Sequence, residues 1–179
     1  MISKDMVRFM SVALPGDIIS VRTEGWIGAH VRWVTESEIN HSALYLGNGL
    51  AIESTLGHGV RIIPVSAYVD DSVCSVRLSR LVGSVDFNEV IEYSYNFYGM
   101  KYNLVGQLGI FVKYMVKKVG LGGLITFWGK NKVEGEGMWC SEFIGELFSP
   151  QKVRFSEDDL SYLTPADIYS SRAVRRIYW

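Results

Sequence analysis

Short runs of aliphatic and aromatic residues flank the segment Gly47-Asn48-Gly49, and together they predict a β-hairpin from His41 to Ser54. Glycine and asparagine tolerate the positive φ angles of tight turns, whereas the flanking runs have the composition of strands. The hairpin carries both a histidine and a carboxylate, so its register matters for function.

The length of the turn sets that register. A three-residue loop pairs Leu46 with Leu50. Ala43 then lies opposite Glu53, and the period of two along a strand puts His41 on the same face of the sheet as that carboxylate. A two-residue loop shifts the register by one residue and turns Glu53 to the other face. We therefore expect a three-residue turn with a bulge.

Apolar positions in the rest of the chain recur at strand or helix spacing. Runs typical of strands lie at 18–22, 60–63 and 73–81. Spacing typical of one helix face predicts helices at 25–35, 64–68, 86–98, 104–119 and 164–171. Ser84 or Asp86 is expected to cap the third of these helices. The mixture of strands and helices predicts the α+β class.

Another predicted helix begins at Cys140. Its apolar residues fall at i, i+3, i+4, i+7 and i+8 and are Cys140, Phe143, Ile144, Leu147 and Phe148. A lone cysteine on an apolar face is usually a packing residue, and we interpret Cys74 in that way. Cys140 differs because it lies in the first turn, where unpaired backbone N–H groups favour the nucleophilic thiolate. The same groups can bind the oxyanion formed when a thiolate attacks a carbonyl.

A reactive thiol needs a base, and His41 is the best candidate, with Glu53 to orient its ring. His30 has no neighbouring catalytic or metal-binding group in the sequence, and His58 lies in a turn between two glycines, so we interpret both as surface residues. Zinc is a weaker alternative, because the candidate residues show neither Cys-x-x-Cys nor His-x-x-x-His spacing. We expect neither a metal nor a cofactor.

Length and composition are those of one globular domain. The chain has 179 residues, of which 48% are hydrophobic and 21% are charged, so we expect a single domain over 1–179. A formal net charge of −1 argues against nucleic acid as a partner. The nearest basic cluster is expected to be a solvated helix face and consists of Arg172, Arg175 and Arg176. Two cysteines do not indicate a disulfide framework.

Two apolar stretches bear on targeting. The first, 6–14, contains Arg8 and is followed by Pro15-Gly16-Asp17 in place of a small-residue cleavage site, so we expect no signal peptide and a cytoplasmic location. The second, 104–128, contains three lysines and several glycines, which disfavours a membrane-spanning helix and leaves peripheral membrane contact open. The whole segment 104–137 is expected to be a lid, a membrane-facing surface or an interface.

The sequence resembles a known superfamily of enzymes. The run from His41 to Gly49, with a polar residue twelve positions after the histidine at Glu53, resembles the His-containing hairpin of the NlpC/P60 papain-like cysteine hydrolases. Those hydrolases usually place the cysteine helix first, whereas Trp139-Cys140-Ser141-Glu142-Phe143 comes last here. That order is similar to the circularly permuted branch that includes the YiiX/YaeF-like amidases and the lecithin:retinol acyltransferase-like enzymes. The segments 15–19 and 98–103 also resemble the YiiX-like group.

The resemblance implies a permuted papain-like fold, in which an antiparallel sheet packs against the helix that carries the cysteine at its N-terminus. It implies that Cys140 is the nucleophile, His41 the general base and acid, Glu53 the third polar member and Tyr102 a residue that lines the substrate site. The implied activity is that of a cysteine-dependent amidase or peptidase, which cleaves an amide or ester bond through an acyl-enzyme.

Two other functions remain open on the same fold. A lipid acyltransferase or deacylase of the lecithin:retinol acyltransferase-like type is favoured by the apolar segment 104–128. A non-catalytic module that uses the groove for recognition alone is disfavoured by the complete set of Cys140, His41 and Glu53. The expected substrate is accordingly a peptide, an acyl-peptide or a lipid.

Overall fold

The computed structural model describes residues 3–71, 74–104, 115–116, 137–157 and 159–179. In these ranges six strands form one sheet in the order β4-β3-β2-β1-β5-β6, and every neighbouring pair is antiparallel. The strands are β1 (Ile18–Arg22), β2 (His41–Gly47), β3 (Leu50–Thr55), β4 (Gly59–Pro64), β5 (Ser75–Leu81) and β6 (Val174–Ile177). The predicted α+β class is confirmed.

The helices surround this sheet and largely match the predicted ones. Those that lie wholly within the described ranges are α1 (Lys4–Val12), α2 (Trp26–Thr35), α3 (Ser66–Val69), α4 (Phe87–Tyr95), α5 (Cys140–Phe148) and α6 (Pro165–Ser170), with a 3₁₀ helix at Leu160–Tyr162. Asp86 caps α4 through its side chain, and Thr164 caps α6 with Pro165 at the first helical position. The predicted helix and connection between 105 and 136 lie outside the described residues, apart from 115–116.

Two predictions at element boundaries are wrong, and one helix was not predicted. Pro64 ends β4, and the helix that it was expected to begin starts at Ser66. The apolar stretch 6–14 forms most of an amphipathic helix, α1, which buries Phe9. The C-terminal arginines were expected on a helix, but Arg175 and Arg176 lie in β6, which pairs with β5. The residues that α1 and β6 contact are distant from them in sequence, so the local periodicity of the chain could not identify these contacts.

The turn of the central hairpin differs from the expected one, yet the register is the expected one. The strands are joined by a two-residue turn, Asn48-Gly49, whose φ angles are 53° and 75°. A bulge at Leu46 shifts the register between Tyr45 and Gly47. Ala43 therefore pairs with Glu53 as predicted, because the extra residue in β2 compensates for the shorter turn.

The two faces of the sheet pack against different helices. One face packs against α5, and its core includes Leu44, Ile52, Val60, Phe143 and Ile144. The other packs against α1 and α3, and its core includes Phe9, Ala43, Tyr45, Ala51 and Tyr68. Since Glu53 pairs with Ala43, strand alternation places it on the second face. The start of α5 therefore lies on the first face of the sheet and Glu53 on the second. Both are at the end of the sheet where β2 begins.

A buried ion pair fixes the turn that leads into β1. Asp17, which is 1% exposed, accepts hydrogen bonds from Arg80 Nε and Nη2, both at 2.7 Å. It also accepts one from the backbone N–H of Leu14 at 2.8 Å. These contacts tie the turn after α1 to β5 and hold β1 between β2 and β5.

Candidate active site

Cys140 is the first residue of α5 and is 3% exposed. Its helix has Trp139 as an extended N-cap residue, which makes no side-chain capping bond, so the first turn is not capped by that side chain. The start of the helix is instead fixed through Leu163. Its carbonyl accepts hydrogen bonds from Trp139 Nε1 at 3.2 Å and from Ser141 Oγ at 2.6 Å. The thiol is thereby held in place by groups outside its own helix.

His41 lies between Cys140 and Glu53. Its Nε2 atom donates a hydrogen bond to Glu53 Oε2 at 2.6 Å, and Cys140 is close enough to the ring to raise its pKa. Because Nε2 is engaged by the carboxylate, Nδ1 is the nitrogen that is left to face the sulfur. The side chain of His41 is 12% exposed and that of Glu53 is 1% exposed, so the contact is almost free of water.

Two further residues hold the Glu53 carboxylate, and sequence reasoning missed both. Arg61 Nε donates to Glu53 Oε1 at 2.9 Å, and the Tyr68 hydroxyl donates to Oε2. Arg61 pairs directly with Glu53 across β3 and β4, and it lies in the strand predicted at 60–63, so pairing of that strand with the hairpin would have identified it. Tyr68 comes from α3 and has no local signal, because only tertiary packing brings it to the carboxylate.

The electrostatics of the pair favour a charged histidine and a charged carboxylate. Burial disfavours the imidazolium, but the negative charges of Cys140 and Glu53 outweigh it and raise the pKa of His41 to about 10. Burial alone would raise the pKa of Glu53, yet His41, Tyr68 and Arg61 lower it to about 2. Burial and the Glu53 charge raise the pKa of Tyr68, which stays a donor. At neutral pH the site therefore contains an ion pair.

A cavity of about 360 Å³ opens onto these residues. The predicted residues Cys140, His41, Glu53 and Tyr102 all line it, so the structure brings together every residue that the sequence singled out. His30 and His58 are exposed and do not line it. The cavity wall also includes a row from the loop before α2 and from α2 itself, namely Thr23, Glu24, Gly25, Trp26, Gly28 and Val31.

Asn40 fixes that row at the mouth of the cavity. Its side-chain oxygen accepts from the Thr23 backbone N–H at 2.9 Å, and its amide nitrogen donates to the Thr23 carbonyl at 2.9 Å. Gly28 packs against the same amide, where a Cβ atom would clash with it. The loop and the start of α2 are thus attached to the residue that precedes His41.

A metal ion does not fit this site. Among the described residues no group of three or more His, Cys, Asp or Glu side chains is placed to hold one. The carboxylate oxygens of Glu53 already accept from His41, Tyr68 and Arg61, and the Arg61 guanidinium adds a positive charge beside the carboxylate that contacts His41. We therefore derive no catalytic step through a metal.

No protein-family model matches the sequence, and no curated protein matches it significantly. A solved structure with a similar fold is that of the metalloprotein YiiX from Escherichia coli O157:H7. It covers 92% of this chain and 96% of its own, with a TM-score of 0.63 and 10% sequence identity. The chain therefore has a YiiX-like fold. At this identity the likeness concerns the fold alone. In the described part of the chain no helix is long and apolar enough to cross a membrane.

Proposed function

We propose that this protein is a cysteine-dependent hydrolase that cleaves an amide or ester bond through an acyl-enzyme on Cys140. The observation that carries the proposal is that Cys140, at the start of α5, lines one cavity with His41 and Glu53, which are hydrogen-bonded to each other, and raises the pKa of His41. A nucleophile, a base and a group that orients the base are the parts that such catalysis needs. The circular permutation of a papain-like hydrolase, in which the cysteine helix comes last, belongs to the same proposal.

In the first half of the reaction the Cys140 thiolate attacks the carbonyl carbon, and the backbone N–H groups of the first turn of α5 stabilise the oxyanion. His41 then gives its proton to the leaving amine or alkoxide as the carbon–nitrogen or carbon–oxygen bond breaks. The product of this half is a thioester on Cys140. Glu53 remains ionised and keeps the ring oriented through Nε2.

Acylation of Cys140 allows His41 to act as a base in the second half of the reaction. The thioester sulfur carries no charge, so the influence of Cys140 that raises the pKa of His41 disappears. The imidazole, now neutral, takes a proton from water, and the hydroxide attacks the thioester. The carbon–sulfur bond breaks, the acid leaves and the thiolate returns. One histidine thus acts first as an acid and then as a base.

A lipid acyltransferase or deacylase is the second candidate. The mouth of the cavity carries Trp26 and Leu56, which are 74% and 39% exposed. Apolar side chains at the lip of a cleft suit an acyl chain. The segment 104–128, from which the sequence favours a hydrophobic substrate and leaves peripheral membrane contact open, lies almost wholly outside the described residues.

Alkylation by iodoacetamide at neutral pH tests the nucleophile, with the two cysteines compared by mass spectrometry. Cys74 is an internal control, because burial and Asp71 raise its pKa to about 11. We expect Cys140 to react much faster, His41→Ala to slow it, and His58→Ala, in an exposed turn, to have no effect. Equal slow rates at both cysteines, with no effect of His41→Ala, would refute the proposal.

A substrate panel then separates the two candidates. Wild type and Cys140→Ala are compared on an acyl-peptide, a phospholipid and a muropeptide. Release of product by wild type alone from the first or third substrate supports the amidase. Activity confined to the phospholipid supports the second candidate instead.

A further inference from the structure

Arg61 has a second face that the Glu53 contact does not use. Its guanidinium bonds Glu53 Oε1 through Nε alone, at 2.9 Å. The two terminal nitrogens, Nη1 and Nη2, have no hydrogen-bond partner within the described ranges. The side chain is 39% exposed, compared with 1% for the Glu53 side chain, and it lines the same cavity as Cys140. The four N–H donors of these two nitrogens are therefore not used by any contact between the described residues.

The charges around the cavity leave Arg61 only partly neutralised. Glu53 carries one negative charge and contacts two cationic groups, His41 and Arg61. The other carboxylate that lines the cavity, Glu24, is already bound to Arg22 at 3.1 Å and to Arg32 at 3.3 Å. Arg61 therefore shares the single negative charge of Glu53 with His41, and no other carboxylate among the described residues of the cavity wall forms an ion pair with it.

The free end of a guanidinium has a definite chemical preference. Two parallel N–H groups match the two oxygens of a carboxylate, and such bidentate contacts are among the stronger hydrogen bonds in proteins. A lysine at this position would offer a point charge without this fork. The geometry thus distinguishes a carboxylate from a neutral amide.

We propose that Nη1 and Nη2 of Arg61 bind a carboxylate of the substrate, so that the enzyme prefers an amide or ester with a carboxylate close to the bond that it cleaves. The inference rests on the proposed function, because it assigns the substrate class of the same cavity. In this arrangement Arg61 contacts Glu53 and the substrate at the same time. Its Nε atom positions Glu53, and its terminal nitrogens select the substrate.

Two alkylating reagents that differ only in charge test the proposal. The ratio of the Cys140 alkylation rates with iodoacetate and iodoacetamide is measured in wild type, Arg61→Gln and Arg61→Lys. The neutral reagent corrects for any change in the reactivity of the thiolate itself. We expect Arg61→Gln to lower the ratio about tenfold, as for the loss of a charge-assisted hydrogen bond, and Arg61→Lys to lower it less. Arg8→Gln, an exposed position on α1 with the same change in charge, should leave the ratio unchanged.

A binding measurement keeps the inference separate from the reactivity of Cys140. In Cys140→Ala, the His41 ring signals are followed by NMR during titration with N-acetylglycine or with N-acetylglycinamide. We expect the acid to bind more tightly than the amide, and the preference to disappear in Cys140→Ala/Arg61→Gln.

The failures of the two proposals have different signatures. An equal fall with both alkylating reagents in Arg61→Gln, together with no preference for the acid in the titration, would show that Arg61 only positions Glu53 and would overturn the inference. Equal slow alkylation of Cys140 and Cys74 in wild type, with a preserved preference for the acid, would overturn the hydrolase and leave the carboxylate site intact.

Discussion

His41 Nε2 lies 2.6 Å from Glu53 Oε2, although the strand partner of Glu53 is Ala43 and not His41. The contact is a diagonal one across the hairpin, which a long carboxylate side chain can span. It depends on the bulge at Leu46, because a register shifted by one residue would turn Glu53 to the other face of the sheet. The bulge is therefore needed to form the site, although it lies at the end of β2 and β3 that is remote from His41.

For the reactivity of Cys140, the charge of the Glu53 side chain is expected to matter more than its shape. Glu53→Gln keeps the size of the side chain but removes the anion that stabilises the His41 imidazolium. The loss of a hydrogen bond between charged groups costs about 1.5–3 kcal/mol, so alkylation of Cys140 by iodoacetamide at neutral pH should slow by about 10- to 100-fold. Glu92→Gln, at an exposed position on α4, is the matched control and should react like wild type. An unchanged rate in Glu53→Gln would exclude a role for the carboxylate.

The ion pair should give the protein a window of added stability in mildly acidic solution. The pKa of His41 rises from 6.5 to about 10, so its contribution is complete below 6.5 and is lost as the pH rises through about 10. The pKa of Glu53 falls from 4.5 to about 2, so its contribution is complete above 4.5 and is lost as the pH falls through about 2. Urea unfolding of wild type and of His41→Gln/Glu53→Gln should differ most between these limits of 4.5 and 6.5. A difference that stays constant over the whole range would contradict the assignment.

Cys140 should extend towards alkaline pH the range over which the ion pair stabilises the protein. Its negative charge is the leading influence that raises the pKa of His41 against the opposing effect of burial, so Cys140→Ala should lower this pKa. NMR titration of the His41 ring in wild type and in Cys140→Ala measures both values directly. Identical titration curves would mean that the thiol and the imidazole do not interact.

Trp26 is expected to contribute to binding and not to the chemical step. The side chain is 74% exposed at the mouth of the cavity, and covering it with an acyl chain would bury apolar surface worth about 1–2 kcal/mol. Trp26→Ala should therefore raise KM by about tenfold for a p-nitrophenyl octanoate and little for the acetate. Trp33→Ala removes a tryptophan that is 51% exposed on the same helix but does not line the cavity. Equal effects of the two substitutions would argue against an apolar lip.

Gly57 in the β3–β4 turn and Gly59 at the start of β4 provide a matched pair for stability. Gly57 and Gly59 have φ angles of 83° and 70°, so alanine is strained at either position by about 1–2 kcal/mol. A Cβ atom at Gly57 meets nothing within 4 Å, whereas one at Gly59 would fall against the Met100 carbonyl oxygen. That oxygen accepts from the Val60 N–H at 2.8 Å. Gly59→Ala should therefore lower the free energy of unfolding clearly more than Gly57→Ala, as measured in urea.

Equal losses would show that the segment at Met100 moves freely away from the hairpin. A greater loss in Gly59→Ala, accompanied by slower alkylation of Cys140, would link this contact to the site, because Tyr102 follows it into the cavity.

The sequence by itself determined the elements that carry the chemistry. The alternation around Gly47-Asn48-Gly49 specified the hairpin with His41 and Glu53, and the helical spacing after Cys140 specified a helix with the thiol in its first turn. These predictions succeeded because strand alternation, helix periodicity and turn residues are local properties of the chain. Short motifs in the sequence also predicted the YiiX-like fold, although the chain shares only 10% sequence identity with the solved structure of YiiX.

Only the tertiary structure decided how these parts meet. It replaced the expected three-residue loop with a two-residue turn and a bulge, two local arrangements that give the same register. It brought Tyr68 from α3 to Glu53 and the start of α5 to His41, almost a hundred positions earlier in the chain. Contacts between distant segments depend on which faces of the sheet the helices bury, and no local pattern in the sequence specifies that choice.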